Sequence, residues 1–597
     1  MSSTNEAGNM NGQVEQPEFD ICIVGSGAGA SPVAYRLAKA GAKVLVLEKG
    51  PWLTEKEFCK DELAISIHDV YNPKLTDEQH VIEEEYHNDA GQTYWQGEAT
   101  SDSGWSFWNG TVVGGSSNFM SGYFHRLKPV DFRLKSEFGE IKGANVEDWP
   151  ISYDELEPYY AMVEREVGVS GKTVPHPNQE PRSTDFIYPA LAEHSIAQWI
   201  DKAATLLGYH PIPVPRAILS TPAMGRKSCE YAGYCSNYGC SSGAKGSGRA
   251  ALLNHAVASG NCTIKPDSKV YKIETDSAGK ISGVLYYNRQ NRKQRVTAKI
   301  YVVACQAIET SRLLLSSTGE KFPHGLANNN QQVGKNLVFS AGGTGKGDFI
   351  YDDLTSQQIA QLKQVGPFIN RSLQDWYEIN DKDFSSSYAS TLVSKGASGK
   401  AKGGTIDFLF HQNPIARAGG AQYEVDENDD EQLVWGEDLK ANLKQTFTRY
   451  KTLRFEVFND WLPTDDCFVS LDETVTDKWG SAVAKVRIGA HDHDLSVGEY
   501  LAKKGETVLE AMGAKNVSSS VSAYPPSNLM AGGCRFGDDP KTSVLNKNCQ
   551  AHEVDNLYVT DGSFMPTGGS VPYTFTIYAN AFRVAEKITK QWQNSYS

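Results

Sequence analysis

Gly25, Gly27 and Ala30, followed by a carboxylate at Glu48, are the residues of this chain whose types and spacing suit a phosphate-linked ligand. The pattern is G-x-G-x-x-G/A, and each small residue has a steric reason. Gly25 makes a tight turn, Gly27 lets backbone approach a pyrophosphate, and Ala30 lets a helix pack close against a strand. Residues 21–24 (ICIV) read as a short buried strand, a helical run follows through Arg36 and Ala40, and residues 44–47 (VLVL) read as a second strand ending at Glu48. The helix N-terminus then offers unpaired N–H groups to phosphate, and Glu48 sits where a carboxylate accepts hydrogen bonds from ribose hydroxyls. A bare glycine turn with no ligand would leave the rest of the unit without a reason. The unit predicts binding of an adenine dinucleotide.

Which dinucleotide is decided further along. Residues 108–126, WNGTVVGGSSNFMSGYFHR, form a second glycine-rich loop carrying Gly114, Gly115 and Asn118. A nicotinamide enzyme has no need of it. A flavin does, because backbone must grip one side of its ring while substrate reaches the other. Residues 556–569, NLYVTDGSFMPTGG, give a buried strand, then Asp561, Gly562 and a proline turn. Together these segments resemble the glucose–methanol–choline (GMC) family of FAD oxidoreductases over nearly the whole chain. Residues 301–317 resemble the family segment that lies against the FAD domain, although Ala304-Cys305 stands where the family usually has Ala-Gly. Residues 246–276 resemble its helix and strand near adenine, with Val270 at the adenine contact. Phe119 occupies a position where some relatives bond a histidine to the flavin, so the resemblance implies noncovalent FAD.

The chemistry requires a carbon to give up a hydride and a base to take the hydroxyl proton. The resemblance implies a histidine followed after two residues by Gly-Gly or Gly-Thr, with a histidine or asparagine partner six residues after the Pro-Thr proline. In residues 528–537, NLMAGGCRFG, the histidine slot holds Leu529, beside Asn528, and the partner slot holds Pro572, followed by Tyr573. Neither leucine nor proline can move a proton, and asparagine can hold a substrate oxygen without accepting one. Asn528 and Tyr573 are therefore the candidate catalytic residues, though a phenol with an ordinary pKa near 10 is a poor base at pH 7. His125, His411, His491, His493 and His552 are the alternative bases, with His552 matching a family histidine of structural role. A positioned base contributes about 10²–10⁴-fold to rate, so simple alcohols such as glucose are expected to turn over weakly.

Cys229, Cys235 and Cys240 crowd one stretch, CEYAGYCSNYGCSSGAKGS, with the other seven of the ten cysteines scattered. Their spacing lacks zinc-site pairs and no histidine lies near, so no metal is expected. The stretch resembles the cysteine-rich segment of the gluconate and fructose dehydrogenase branch, which implies a Cys235–Cys240 disulfide. Three reduced thiols in a loop is the alternative. That branch also implies an oxidoreductase acting on CH–OH groups of a sugar, polyol or sugar-derived substrate, a dehydrogenase rather than an oxidase, with the acceptor left open. A flavoprotein used without net redox change, or one that has lost catalysis, is the competing reading.

The elements that must position these residues divide the chain discontinuously. The expected fold is α/β. Residues 18–125, 225–320 and 525–597 form a Rossmann-like FAD-binding domain, and 126–224 and 321–524 a substrate domain on a mostly antiparallel sheet. Alternating runs at 405–411 (TIDFLFH) and 452–458 (TLRFEVF) supply that sheet, which could floor the active site. The 597 residues, 40% hydrophobic and 22% charged, are those of a globular protein of two or more domains. A net charge of −14 argues against nucleic acid and anionic membrane surfaces. No apolar run suits a transmembrane helix. Residues 1–17 read as a disordered leader without signal-peptide features, so the chain is expected to be cytoplasmic by itself. Co-export with a partner subunit, which could also accept electrons, would place it in the periplasm. The acidic run 426–431 lacks calcium-loop spacing and reads as a solvated loop.

Overall fold

The strands Phe19–Val24, Val44–Leu47, Ala298–Val303 and Leu557–Val559 are nearly continuous apolar runs, the pattern of strands covered on both faces. With Cys262–Lys265 they form a five-stranded sheet in the order Leu557–Val559, Ala298–Val303, Phe19–Val24, Val44–Leu47, Cys262–Lys265. Every pairing in it is parallel. This is a computed structural model, and it describes residues 18–58, 79–88, 91–103, 109–233, 235, 238–380, 400–410, 414–425, 431–525 and 529–596. The expected leader at 1–17, His411, Asn528 and all of the acidic run but Glu431 lie outside the described residues.

Helix Ser31–Lys39 starts directly after the glycine turn, with proline in its first turn, and buries Val33, Ala34, Leu37 and Ala38 against the sheet. The C-terminal helix Thr574–Tyr596 packs beside it and against helix Tyr153–Val163. A three-stranded meander, Lys269–Thr275, Ile281–Tyr287 and Lys293–Val296, interrupts the chain between two strands of the parallel sheet.

The second large sheet is antiparallel throughout. Its order is Lys515–Val521, Gly343–Ile350, Tyr450–Asp460, Gly404–Leu409, Arg371–Leu373 and Ile212–Pro213. Strand Leu337–Ala341 joins Tyr450–Asp460 to Met530–Gly532. Alternation divides the sheet's faces. Phe408, Phe455 and Val457 enter a core with Val497, Leu501 and Val508 of helix Asp492–Ala511, and the other face looks toward the parallel sheet. The architecture is the expected α/β one: a Rossmann-like parallel sheet beside a mostly antiparallel one. Among the described residues no helix is long and apolar enough to cross a membrane.

Candidate active site

A cavity of about 600 Å³ runs from the glycine turn of the parallel sheet to the face of the antiparallel one. Gly25, Gly27, Glu48, Gly115, Val270, Asp561, Gly562 and Tyr573 all line it. Ala30, Gly114 and Asn118 stand behind the lining, in contact with residues that do reach it.

Three glycine segments meet at the cofactor end. A Cβ at Gly25 would lie 2.2 Å from the Ala304 carbonyl oxygen, on backbone at φ +93°, and one at Gly29 would lie 2.5 Å from the Thr560 oxygen. These glycines are therefore closed in by protein. Gly27 is different, since a Cβ there would meet nothing within 4 Å. Its missing side chain opens onto the cavity, the cradle that a bound dinucleotide phosphate requires. Gly115 of the second loop would touch Gly27 Cα at 3.1 Å, so the two glycine loops abut. Ser26 ties them together: its hydroxyl donates to Glu48 Oε2 at 2.5 Å and accepts from the Gly114 N–H at 2.9 Å. The other Glu48 oxygen accepts from the Gly50 N–H at 2.9 Å, fixing the carboxylate at the strand end. Asn118 shapes the loop instead of lining the cavity, donating to the carbonyls of Val113 and Gly115 at 3.0 and 2.9 Å.

Asp561 is a hub. It accepts from the Gln306 N–H at 3.0 Å and the Ser563 N–H at 2.9 Å, and from the hydroxyls of Thr310 and Ser563. Burial pushes its carboxyl up, and those hydrogen bonds pull against the rise. The departure from the glycine pattern near Cys305 falls one residue later than expected. Gln306 takes φ 81° and ψ 153°, a conformation otherwise reserved for glycine. Its side chain compensates by accepting from the N–H groups of Ile308 and Glu309 at 2.9 and 3.2 Å, capping helix Ala307–Ser316.

At the substrate end Leu529, Met530, Pro572 and Tyr573 face Tyr123, Thr344, Arg454, Glu456 and Phe458. The loop carrying Pro572 is pinned from several sides. The Gly569 N–H donates to Asp460 at 2.5 Å, Ser570 to the Gly403 carbonyl at 2.7 Å, and Trp149 to Thr567 at 2.9 Å. Lys402 lies beneath, 3.0 Å from Asp131 and 3.7 Å from Asp460. The Tyr573 hydroxyl is buried without a hydrogen-bond partner, and burial pushes its phenol well above 10. It can donate a hydrogen bond but cannot serve as a base at neutral pH.

No described histidine lines the cavity. His125 is buried against Asp407 at 3.2 Å. His491 caps helix Asp492–Ala511, and His493, buried and pushed down to about 4 by desolvation, faces a separate small void. His552 bonds Ser543 at 3.0 Å. None of His491, His493 and His552 reaches the cavity. Sequence reading missed Glu456 and Arg454. The signal was present in TLRFEVF, where alternation sends both to the face opposite Phe455 and Val457. The structure does not join Cys235 and Cys240 by the implied disulfide.

A cavity of this build is the site of a dinucleotide-dependent oxidoreductase. Family models described as GMC oxidoreductase match residues 97–340 and 463–581, and an NAD(P)-binding Rossmann-like model matches 23–54. The chain belongs to the GMC oxidoreductases and is an FAD-dependent oxidoreductase. It is 29% identical to 2-methyl-1,2-propanediol dehydrogenase of Mycolicibacterium austroafricanum, over 97% of this chain and 96% of that protein. It is 26% identical to the fructose dehydrogenase large subunit of Gluconobacter japonicus, over 95% and 97%. A solved structure of Aspergillus oryzae formate oxidase, from work on its FAD modification, has the same fold, with TM-score 0.61 and 14% identity over 97% and 99%. The curated relatives carry names of dehydrogenases and oxidases, so the reading of lost or non-redox catalysis finds no support.

Proposed function

We propose that this enzyme oxidises a CH–OH group of a polyol, sugar or sugar-derived alcohol, as a dehydrogenase, with FAD held noncovalently. The observation that carries the reading is a single cavity joining the open backbone at Gly27 to a sheet face bearing Arg454 and Glu456. When bound, FAD supplies the acceptor for a hydride. The chain's own residues bind, orient and exclude water. In this reading Gly25, Gly27, Ala30 and Glu48 hold the adenine dinucleotide, with Val270 at the adenine, and Gly114, Gly115, Asn118, Asp561 and Gly562 complete the cofactor's walls. Residues 18–125, 225–320 and 525–597 serve the cofactor, and 126–224 and 321–524 the substrate. Tyr573 donates a hydrogen bond to a ligand oxygen, and Asn528, next to Leu529, holds the substrate hydroxyl.

Noncovalent attachment is supported by Phe119 on the lining and by the absence of any described histidine there. Acid or heat is expected to release yellow FAD into the supernatant, and flavin retained in the precipitate overturns this. Anaerobic bleaching by 2-methyl-1,2-propanediol, D-fructose, D-gluconate and D-glucose tests the substrate class. Failure of every one refutes it. Asn528→Ala should slow bleaching while leaving FAD bound.

The likeness to a fructose dehydrogenase large subunit supports an electron-accepting partner subunit, which would also carry the chain to the periplasm. Cells making the chain without a partner are expected to retain it in the cytoplasm, and its appearance outside in that experiment contradicts co-export.

A further inference from the structure

Strand Tyr450–Asp460 sends Arg454, Glu456 and Phe458 into the cavity and Phe455 into the core behind, where Val457 also packs while reaching the cavity wall. The register sets Glu456 between Thr344 on one neighbouring strand and Asp407 on the other. Residues directly opposite in an antiparallel pair share a face, with Cβ atoms about 4.5–5.5 Å apart. Two carboxyl groups thus stand side by side at the floor of the substrate end. Asp407 is fully buried, held through one oxygen by His125 Nε2 at 3.2 Å, and its other oxygen has no hydrogen-bond partner. Gln374 donates to His125 Nδ1 at 3.5 Å and to the Thr405 hydroxyl at 3.2 Å. That arrangement puts the ring proton on Nε2, where Asp407 accepts it.

We propose that Glu456 is the proton acceptor of the reaction and that Asp407, backed by His125, is the positioning residue that tunes it. This rests on the alcohol-oxidising reading above. The hydroxyl proton of the bound alcohol passes to a Glu456 carboxylate oxygen. The carbinol C–H bond would break with its electron pair leaving as hydride to bound FAD, and the C–O bond would become C=O. The two electrons the alcohol loses would both be accepted by FAD, and Glu456 keeps the proton until solvent removes it.

Burial pushes the Glu456 carboxyl up to about 7; the neighbouring Asp407 adds to the rise, and Arg454 and Arg216 pull against it. The facing groups are Thr344, Asp407, Arg454, Arg216 and the Tyr123 phenol, itself pushed up by burial. A base is most effective when its pKa lies near the working pH, and Glu456 meets that condition where Tyr573 does not. Leu529 leaves its own place on the cavity wall apolar, so the proton's destination moves from that wall to the floor.

The test uses FAD-loaded wild type, Glu456→Gln and Asp407→Asn. In infrared difference spectra a protonated carboxyl band is expected to vanish from the wild type as pH rises through about 7. The band should be missing in Glu456→Gln, and should vanish at lower pH in Asp407→Asn, where the like charge is gone. In anaerobic bleaching by the polyol and sugar panel, Glu456→Gln should be slower by about 10²–10⁴-fold at unchanged flavin content, and the wild-type rate should fall on the acid side of the same titration. Bleaching of Glu456→Gln at the wild-type rate, or no carboxyl band titrating near neutrality, overturns the proposal. If no alcohol bleaches even the wild type, the substrate reading fails. The infrared band then decides Glu456 separately: its absence removes the poised carboxyl, and its presence retains it.

Discussion

At the parallel-sheet end of the cavity the ligand space is bounded by main chain, and the residues that matter there are defined by side chains they lack. At the antiparallel-sheet end the boundary is made of side chains on alternate positions of paired strands, and there polar groups reach inward. Gly25, Gly27 and Gly29 could not be exchanged for larger residues without collision or blockage. Arg454 and Glu456, by contrast, present side chains to the cavity from alternate positions of one strand. One end of the cavity is thus shaped by backbone geometry and the other by side chains.

Substitutions at the two ends test that contrast. Gly25→Val should be the most damaging, because its Cβ would sit 2.2 Å from the Ala304 oxygen on backbone at φ +93°. A loss beyond about 4 kcal/mol is expected, read as a collapse of soluble yield or melting temperature. A stable variant would mean that the turn tolerates side chains after all. Next is Lys402→Met at the other end, which strands Asp131 and Asp460 as buried carboxyls without their shared cation. Breaking a buried pair costs about 3–5 kcal/mol, to be measured by denaturant unfolding. Gly27→Val should keep its fold, as circular dichroism would register, yet bind FAD at least about tenfold more weakly, roughly 1.4 kcal/mol. Normal flavin content in that variant would remove Gly27 from the cofactor's path.

A smaller effect is a pH dependence. The folded-state pKa of Glu456, about 7, lies above the value of about 4.3 for an unfolded chain, so folding favours the neutral carboxyl. That contribution is complete below the unfolded value and is lost as pH rises through 7. Melting temperatures of wild type should therefore fall relative to Glu456→Gln across that window, and parallel curves would contradict it. Least affected should be Gln306→Gly. It relieves the φ of 81° but forfeits the helix cap, two terms of about 1 kcal/mol or more that oppose one another. Its net change should fall within about 1 kcal/mol.

The α/β class, the parallel sheet and the antiparallel partner sheet were legible because they rest on periodicity and on small residues with steric reasons. The strands Gly404–Leu409 and Tyr450–Asp460 announced themselves by alternation. What could not be read was which polar residues on those strands face each other. That depends on register, and register aligns Asp407 with Glu456 through contacts far apart in sequence. Histidines are the bases that a sequence makes visible, because imidazole titrates near neutrality unaided. A carboxyl reaches the same range only through burial and a like-charged neighbour, neither of which is written in one segment. Gln306 was missed for a related reason: nothing in its own side chain signals a left-handed backbone.

The parallel sheet has a further consequence for how the protein is made. Strand Ala298–Val303 sits between Phe19–Val24, made before it, and Leu557–Val559, made long after it. On a growing chain one edge of that strand stays open until Leu557–Val559 emerges, and an open hydrophobic edge invites pairing with other chains. Asp561 and Tyr573 follow that strand closely, so the cavity they line closes only once this segment has been made. A chain interrupted before Leu557 would keep the open edge that promotes its own aggregation.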